Sequence, residues 1–173
     1  EQLGAAYRAI NPQTRVPALA LDDGTVITQS LAIIDYLENT HPEPRVYPAD
    51  PVTRAKALAV ALAVTADIHP LNNLRVLKYL KHTVGLEQER IDAWYVHWVE
   101  DGFEAIETMV TASPYACGAQ VTLADVCLVP QVYNARRMKV PLDKFPRIVA
   151  AETACLELAA FGRARPENQP DAE

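Results

Sequence analysis

Arg15-Val16-Pro17-Ala18-Leu19 begins the part of the sequence that decides the fold, and Gln29-Ser30-Leu31-Ala32-Ile33-Ile34 ends it. The first segment is typical of a loop that enters a strand, and the second of a strand end that enters a helix. Asp22-Asp23-Gly24-Thr25 lies between them and predicts a tight turn, because Gly24 can take a positive φ. The pattern therefore predicts a β-hairpin, with its second strand over Thr25–Thr28, followed directly by a helix.

Pro17 stands at the start of the first predicted strand, Val16–Leu21, where a missing backbone N–H is tolerated. We predict a cis bond between Val16 and Pro17, which would direct the backbone N–H and C=O of Val16 outward. Ser30 is predicted to be the N-cap of the helix Leu31–Asn39, whose free N–H groups favour an anion. These groups suit a small peptide that carries carboxylates, although an ordinary edge hairpin with a capping serine explains the same residues.

Val16-Pro17, the hairpin and the run Gln29-Ser30-Leu31-Ala32-Ile33-Ile34-Asp35-Tyr36-Leu37 resemble the glutathione-binding half of the glutathione transferases. Asn11-Pro12 ahead of Val16-Pro17 narrows the resemblance to the zeta class, which includes the maleylacetoacetate and maleylpyruvate isomerases. The resemblance covers nearly the whole chain. It implies the glutathione transferase fold: a thioredoxin-like α/β half, incomplete here, followed by an all-α half. It also implies glutathione as the cofactor, a small anionic enone diacid as the substrate, a homodimer and a cytoplasmic location.

Proline marks the expected domain boundary, since the segment His41–Asp50 contains three prolines that oppose a helix. We predict the C-terminal part of a thioredoxin-like glutathione-binding domain over residues 1–44, a linker over 45–50 and an all-α domain over 51–173. A thioredoxin-like half normally starts with a β-α-β unit, which we expect to be missing from this chain. A protein that starts at Glu1 is therefore expected to be inactive and poorly folded over roughly its first 40 residues.

Composition excludes several classes of function. The 173 residues carry a net charge of -6, which argues against a nucleic-acid or anionic-membrane partner. No apolar run is long enough to predict a membrane span. Cys117, Cys127 and Cys155 lack the spacing of metal ligands, so we predict free thiols in a reducing compartment and no metal site.

The second half of the chain predicts a series of helices. Asp50 as N-cap and Pro51 at the first helical position start one helix, and its alanine-rich part Ala55–Ala66 would allow close packing of a neighbour. Apolar residues at helical spacing predict a further helix over Gln88–Thr111. Another helix is expected from Phe145-Pro146 to about Ala160, and Arg163–Glu173 is expected to be a tail.

Val121-Thr122-Leu123-Ala124-Asp125 contains a capping box, with Thr122 as N-cap and Asp125 three residues later. It predicts a buried helix over Leu123–Met138, in which Pro130 is expected to introduce a bend. We interpret Pro17, Thr122 and Asp125 as structural residues.

The segment Asp67–Arg75 predicts a broken helix, because Pro70 interrupts it and would expose N–H groups around Leu71–Asn73. Such a break suits a polar ligand, and a solvated kink is the alternative. The zeta resemblance favours the ligand. It assigns glutathione contacts to Gln2, Val16, Gln29, Ser30, His69, Asn73, Leu74 and Arg75. His69 stands where the animal enzymes have a glutamine. A histidine adds pH dependence, and within the class it favours a resemblance to the bacterial maleylpyruvate isomerases.

Arg136 and Arg137 end the helix that follows the capping box. The resemblance assigns Arg137 to the substrate carboxylate, for which a guanidinium fork is well suited. Arg136 is interpreted as a solvated cation at a helix end. Arg75, Lys78 and Lys81 form a basic stripe that either attracts a dianionic substrate or is simply a solvated face.

The predicted function is glutathione-dependent cis–trans isomerisation of maleylacetoacetate or maleylpyruvate, in the catabolism of tyrosine or other aromatic compounds. No catalytic residue can be named in this chain, because the Ser/Cys motif that activates the thiol is expected in the missing segment. A general glutathione transferase or α-haloacid dehalogenase is one alternative. A non-catalytic module of the same fold is another, although such modules usually lose Gln-Ser or the carboxylate arginine, and both are present here.

Overall fold

The protein is described by a computed structural model over residues 3–170 and 172. It divides into two compact units, Glu1–Val46 and Tyr47–Glu173. The division lies inside the segment 45–50 that the sequence predicts to be a linker.

The first unit contains the predicted hairpin. Its elements are α1 (Ala5–Ile10), β1 (Ala18–Ala20), β2 (Val26–Thr28) and α2 (Ser30–Thr40). The two strands pair antiparallel, with Ala18 opposite Thr28. Gly24 has a φ of 85° in the turn, as its position required. The strands are shorter than predicted, but the hairpin and the helix after it are confirmed.

Little apolar surface is buried within the first unit. Asn11 is the one residue between positions 3 and 46 that is fully buried. The apolar residues of the hairpin and of α2, such as Leu19, Ile27 and Ile33, are only half-buried, and Leu37 is 40% exposed. Local hydrogen bonds therefore hold this unit more than a core of its own does.

The second unit is helical. Its elements are α3 (Pro51–Leu62), a π-helical segment (Ala63–Ile68), α4 (His69–Asn72), α5 (Leu74–Tyr79), a second π-helical segment (Leu80–Val84), α6 (Gln88–Met109), α7 (Leu123–Arg137), α8 (Pro146–Leu156), α9 (Ala159–Ala164) and a 3₁₀ turn (Pro166–Asn168). The buried helix α7 packs against α3 and α8. The predicted helix from Pro146 ends earlier than expected, at Leu156, and α9 with the 3₁₀ turn occupies part of the predicted tail.

Two predicted helix starts are confirmed. At α3, the Asp50 side chain accepts a 2.8 Å hydrogen bond from the Thr53 N–H, and Pro51 follows at the first helical position. At α7, Thr122 and Asp125 form the capping box. The N–H and the hydroxyl of Thr122 donate to Asp125 Oδ2 at 2.8 and 3.0 Å. The box is buried, which fits its structural interpretation.

Asp125 has a second role that the sequence did not predict. Its other carboxylate oxygen, Oδ1, accepts the Ala116 N–H at 2.7 Å and lies 3.6 Å from the thiol of Cys155. The side chain thereby ties the loop before α7 and helix α8 to the start of α7.

Gly102 on α6 packs directly against Ile68 at the end of the first π-helical segment. A Cβ at position 102 would overlap Cγ1 and Cδ1 of Ile68, which is 1% exposed. We expect Gly102→Ala to lower the free energy of unfolding by about 1–3 kcal/mol in denaturant titration. Ile68→Ala/Gly102→Ala should cost clearly less than the sum of the two single changes. Additive costs would contradict this packing.

Over residues 3–170 and 172, no helix is both long enough and apolar enough to cross a bilayer. The same residues contain no group of three or more His, Cys, Asp or Glu side chains placed to hold a metal ion.

Candidate active site

The backbone of Val16 forms an open edge in the first unit. The Val16–Pro17 bond is cis, as predicted, and Val16 is 68% exposed. Neither the N–H nor the C=O of Val16 has a hydrogen-bond partner among the described residues. An extended peptide can therefore pair with this backbone as a strand pairs with its neighbour.

Asn11 fixes the loop that leads to this edge. It is 1% exposed, and its Nδ2 donates to the Arg15 carbonyl at 2.7 Å while its Oδ1 accepts the Gln13 N–H at 3.0 Å. The Tyr7 hydroxyl donates to the same Arg15 carbonyl at 2.8 Å. In the sequence, Asn11 served only to narrow the family resemblance, and its anchoring role was missed.

Gln29, not Ser30, is the N-cap of α2, so the predicted cap is wrong by one residue. Gln29 has a φ of 75° and donates from Nε2 to Gln13 Oε1 at 2.8 Å. The first intrahelical bond runs from the Ile33 N–H to the Gln29 carbonyl. Ser30 is then the first helical residue. It is exposed beside the free N–H groups of the first turn, so the helix start still offers an anion site. Gln2 lies outside the described residues.

The helix of the second unit breaks at Asn73 and not at Pro70. Asn73 is extended, with φ -63° and ψ 143°. Pro70 lies in the first turn of α4, where its missing N–H is tolerated, and the π-helical segment precedes it. The predicted position of the break at Pro70 is therefore wrong by three residues. Asn73 is the N-cap of α5, and its side chain and carbonyl accept the N–H groups of the first turn.

Four predicted contact residues meet at this break. The Asn73 Oδ1 accepts the Arg75 N–H at 3.1 Å, and Asn73 Nδ2 lies 3.5 Å from His69 Nε2. Leu74 is 57% exposed and Arg75 is exposed beside it. Partial burial of the ring lowers the pKa of His69 below its ordinary value of 6.5, although the residue reaches the surface. Its imidazole is therefore neutral at physiological pH.

Helix α6 holds the break in place. Trp94 Nε1 donates to the Leu71 carbonyl at 3.0 Å, and Asn72 Nδ2 donates to the Tyr95 carbonyl at 3.4 Å. Trp94 and Tyr95 are among the apolar residues whose spacing predicts the helix Gln88–Thr111. No local sequence signal links them to residues 23 positions away.

The two arginines at the end of α7 have different surroundings. Arg136 is a half-exposed cation at the helix end, as predicted, but it is also paired: it donates from Nε and Nη2 to Glu152, whose side chain is 4% exposed. Arg137 is exposed and forms no ion pair with a described residue. Its charge acts on Tyr95 and Tyr133, and in both it opposes the causes that raise the pKa. Arg137 is thus the arginine of this pair that can accept an anionic ligand.

The basic stripe lies on the surface, and Arg75, Lys78 and Lys81 are all exposed. Lys81 Nζ donates to Gln88 Oε1 at 3.1 Å. These contacts favour neither interpretation of the stripe, which either attracts a dianionic substrate or is simply a solvated face.

Comparison with known proteins connects the fold to a family. Residues 2–45 match the family model described as the glutathione S-transferase N-terminal domain. A probable maleylacetoacetate isomerase of Vibrio cholerae is 43% identical, over 99% of this chain and 80% of that protein.

Solved structures of zeta-class and related isomerases are also similar to this chain. The holo structure of a maleylpyruvate isomerase, described as a bacterial glutathione S-transferase of the zeta class, is 45% identical with a TM-score of 0.94 over 99% of this chain and 82% of that one. A maleylacetoacetate isomerase of Methylobacterium extorquens AM1 with bound malonate and glutathione is 34% identical, with a TM-score of 0.94 over 100% of this chain and 83% of that one.

The chain belongs to the glutathione S-transferase family. Within that family its relatives are those of the zeta class, as the residues around Val16-Pro17 and Gln29-Ser30 predicted. The predicted fold class is confirmed with it.

Proposed function

We propose that the protein catalyses the glutathione-dependent cis–trans isomerisation of a maleyl-keto diacid. The observation that carries the proposal is 43–45% identity over 99% of the chain to proteins named as maleylacetoacetate and maleylpyruvate isomerases. The α-haloacid dehalogenase and non-catalytic alternatives have no comparable support.

In this proposal the first unit binds glutathione through its backbone. The unpaired N–H and C=O of Val16 pair with the tripeptide backbone, and the start of α2 at Ser30 binds a carboxylate. Gln29 and Gln2 are the remaining residues that we assign to glutathione binding in the first unit. In the second unit, the cluster His69, Asn73, Leu74 and Arg75 provides further contacts, and its polar atoms lie on one short break.

Arg137 holds a carboxylate of the substrate. Its guanidinium is available because Arg136, and not Arg137, is engaged by Glu152. The fork geometry of a guanidinium fits a carboxylate with two parallel hydrogen bonds.

Glutathione, when bound, supplies a thiol nucleophile that adds to the conjugated double bond and leaves after the bond has rotated. The residues of this chain orient the two molecules and bind their carboxylates. Neutral His69 can donate or accept a hydrogen bond without adding charge beside the glutathione. We assign activation of the thiol to no residue of this chain.

Turnover of three substrates by the natural full-length protein tests the proposal. Maleylacetoacetate, maleylpyruvate and dichloroacetate would be compared side by side at equal glutathione concentration. We expect kcat/KM for one of the two maleyl compounds to exceed that for dichloroacetate by at least about 10-fold. Preference for dichloroacetate, or no turnover at all, would favour the dehalogenase or the non-catalytic module.

We also propose a homodimer, supported by an exposed apolar stripe on α3. Val52, Ala55, Ala59 and Leu62 recur at intervals of three and four residues, and all four are exposed. Two other alanines, Ala57 and Ala61, are buried within their own chain, so only part of the alanine-rich stretch is free to pack against a partner. Small side chains along the stripe allow two helices to approach closely.

Ala59→Glu is expected to convert the dimer to a monomer, because it places a charge in the centre of the stripe. Sedimentation velocity at micromolar protein concentration measures this. Ala150→Glu, at an exposed alanine on α8, is the control and should remain dimeric. A monomeric natural protein, or a dimeric Ala59→Glu variant, would contradict the proposed interface.

We further propose that the protein is cytoplasmic. Cys117, Cys127 and Cys155 are free thiols, as expected in a reducing compartment.

A further inference from the structure

The cluster of the second unit that we assign to glutathione lies on a part of the chain with little packing of its own. Leu74 and Arg75 belong to α5, in which every residue is at least partly exposed. Asn73 precedes α5 as its N-cap, and His69 is the first residue of the single turn α4. Burial of α5 therefore contributes little to fixing these side chains, and the firmer support is α4, which packs against α6.

The break at Asn73 exchanges the partners of two backbone groups. In a continuous α-helix the Arg75 N–H would donate to the Leu71 carbonyl, four residues earlier. Here the Arg75 N–H donates to Asn73 Oδ1 at 3.1 Å. The Leu71 carbonyl instead accepts Trp94 Nε1 of α6 at 3.0 Å. Each backbone group keeps a partner, so the helix can break here without leaving a polar group unpaired.

A second hydrogen bond between α4 and α6 runs in the opposite direction. Asn72 Nδ2 donates to the Tyr95 carbonyl at 3.4 Å. We refer to this bond and the one from the indole to the Leu71 carbonyl as the α6 clamp. Two bonds of opposite direction restrict both sliding and rotation of α4 on α6. Asn73 directly follows the clamped residues, and its Nδ2 lies 3.5 Å from His69 Nε2, so the clamp supports the residues at both ends of α4.

We infer that Trp94 is a positioning residue for glutathione: its indole N–H keeps the helix broken and so holds Asn73 and Arg75 in the arrangement that binds the tripeptide. Without that donor, the Leu71 carbonyl regains a partner most simply by accepting the Arg75 N–H, which closes the break and takes that N–H from Asn73. The inference rests on the glutathione contacts assigned under the proposed function, and it adds a residue that acts through others.

Trp98 provides a matched control on the same helix. It lies one turn after Trp94, and the two rings pack edge to face with centroids 5.6 Å apart. The Nε1 of Trp98 is buried and has no hydrogen-bond partner among the described residues. Replacing either tryptophan by phenylalanine removes the same atoms, but the change at position 94 also removes a hydrogen bond.

Trp94→Phe tests the inference by calorimetric titration of the natural full-length protein and its variants with glutathione. We expect the Kd for glutathione to rise by about 5-fold, as when the broken form falls to about one fifth of the population. The KM for glutathione should rise by the same factor, while kcat at saturating glutathione and the KM for the maleyl diacid stay within about 2-fold. Trp98→Phe should leave these constants unchanged. A purely structural role would lower the active fraction of the protein without changing Kd.

Two further variants make the test specific. Asn72→Leu removes the other half of the clamp, and its Oδ1 has no described partner to lose, so the Kd should rise by about 2- to 5-fold. This variant decides the inference if Trp94→Phe does not fold. Trp94→Phe/Asn73→Ala should bind glutathione no more than about 2-fold more weakly than Asn73→Ala, because both changes act on one break. Natural affinity of Trp94→Phe, equal losses in Trp94→Phe and Trp98→Phe, or a loss in kcat instead of Kd would each overturn the inference.

Calorimetry needs no turnover and therefore separates this inference from the proposed function. If the natural protein binds glutathione but isomerises neither maleyl compound, the proposed function fails. The comparison of Trp94→Phe with Trp98→Phe then still decides the role of Trp94. A natural protein that does not bind glutathione would overturn the inference as well.

Discussion

Arg137→Ala is expected to reduce kcat/KM for the maleyl diacid by about 10- to 100-fold. A charge-assisted hydrogen bond to a carboxylate contributes about 1.5–3 kcal/mol, and the substrate loses it with the guanidinium. The affinity for glutathione should be nearly unchanged, because the proposal assigns no glutathione contact to Arg137. Steady-state kinetics with diacid and glutathione varied separately measure both quantities.

Two substitutions show whether geometry or charge is decisive. Arg137→Lys should recover only part of the loss, because an ammonium keeps the charge but not the fork. Arg90→Ala, at an exposed arginine on α6, is the control and should keep natural kinetics. If Arg137→Ala behaves like Arg90→Ala, the substrate carboxylate is held elsewhere, and the basic stripe at Arg75 becomes the first candidate.

Arg136 is unsuitable as the control, although the sequence predicted a solvated cation there. Arg136→Ala would leave the carboxylate of Glu152 without its partner, and that side chain is 4% exposed. Uncompensated burial of a charge destabilises a protein. A loss of activity in Arg136→Ala would therefore reflect stability as well as binding.

Asp125→Ala is expected to lower the free energy of unfolding by about 3 kcal/mol or more. The change leaves the N–H groups of Ala116 and Thr122 without an acceptor in a buried site, and it removes the acceptor of the Thr122 hydroxyl. Each buried donor that loses its partner costs about 1–3 kcal/mol. Denaturant titration followed by far-ultraviolet circular dichroism measures the change.

Three comparisons assign this cost to the capping box. Thr122→Val, which removes only the hydroxyl, should cost roughly 1 kcal/mol. The loss in free energy of unfolding for Asp125→Asn should lie between the losses for Thr122→Val and Asp125→Ala, because the amide oxygen of asparagine can keep one of the contacts. Asp143→Ala, at an exposed aspartate, should be neutral. An Asp125→Ala protein as stable as Asp143→Ala would show that the buried carboxylate does not organise the start of α7.

The helix starts at Asp50 and Thr122 could be predicted because a cap is determined within four consecutive residues. The signals for the hairpin and for the cis bond at Val16–Pro17 also lie within a few consecutive residues. The N-cap of α2 was predicted one position too late because Gln29 takes a positive φ, which its residue type does not signal. Pro70 was expected to break the helix, but its place in the first turn of α4 follows from the π-helical segment before it, which has no sequence signature.

Contacts between distant residues could not be predicted. Glu152 binds Arg136 across 16 positions, and α6 reaches the break at Asn72 across 23 positions. These pairs depend on how α6, α7 and α8 pack, which the hydrophobic periodicity of each helix does not determine. For this reason the sequence identified Arg137 and His69 through family resemblance but did not indicate the contacts that surround them.

Dependence of the isomerisation on glutathione tests the central claim most directly. The natural protein would be mixed with the maleyl diacid and catalytic glutathione, and the cis and trans olefinic protons followed by nuclear magnetic resonance. We predict many turnovers per glutathione, full recovery of the free thiol and no turnover with S-methylglutathione, which lacks a thiol. Isomerisation without glutathione, or consumption of one glutathione for each substrate, would contradict the account.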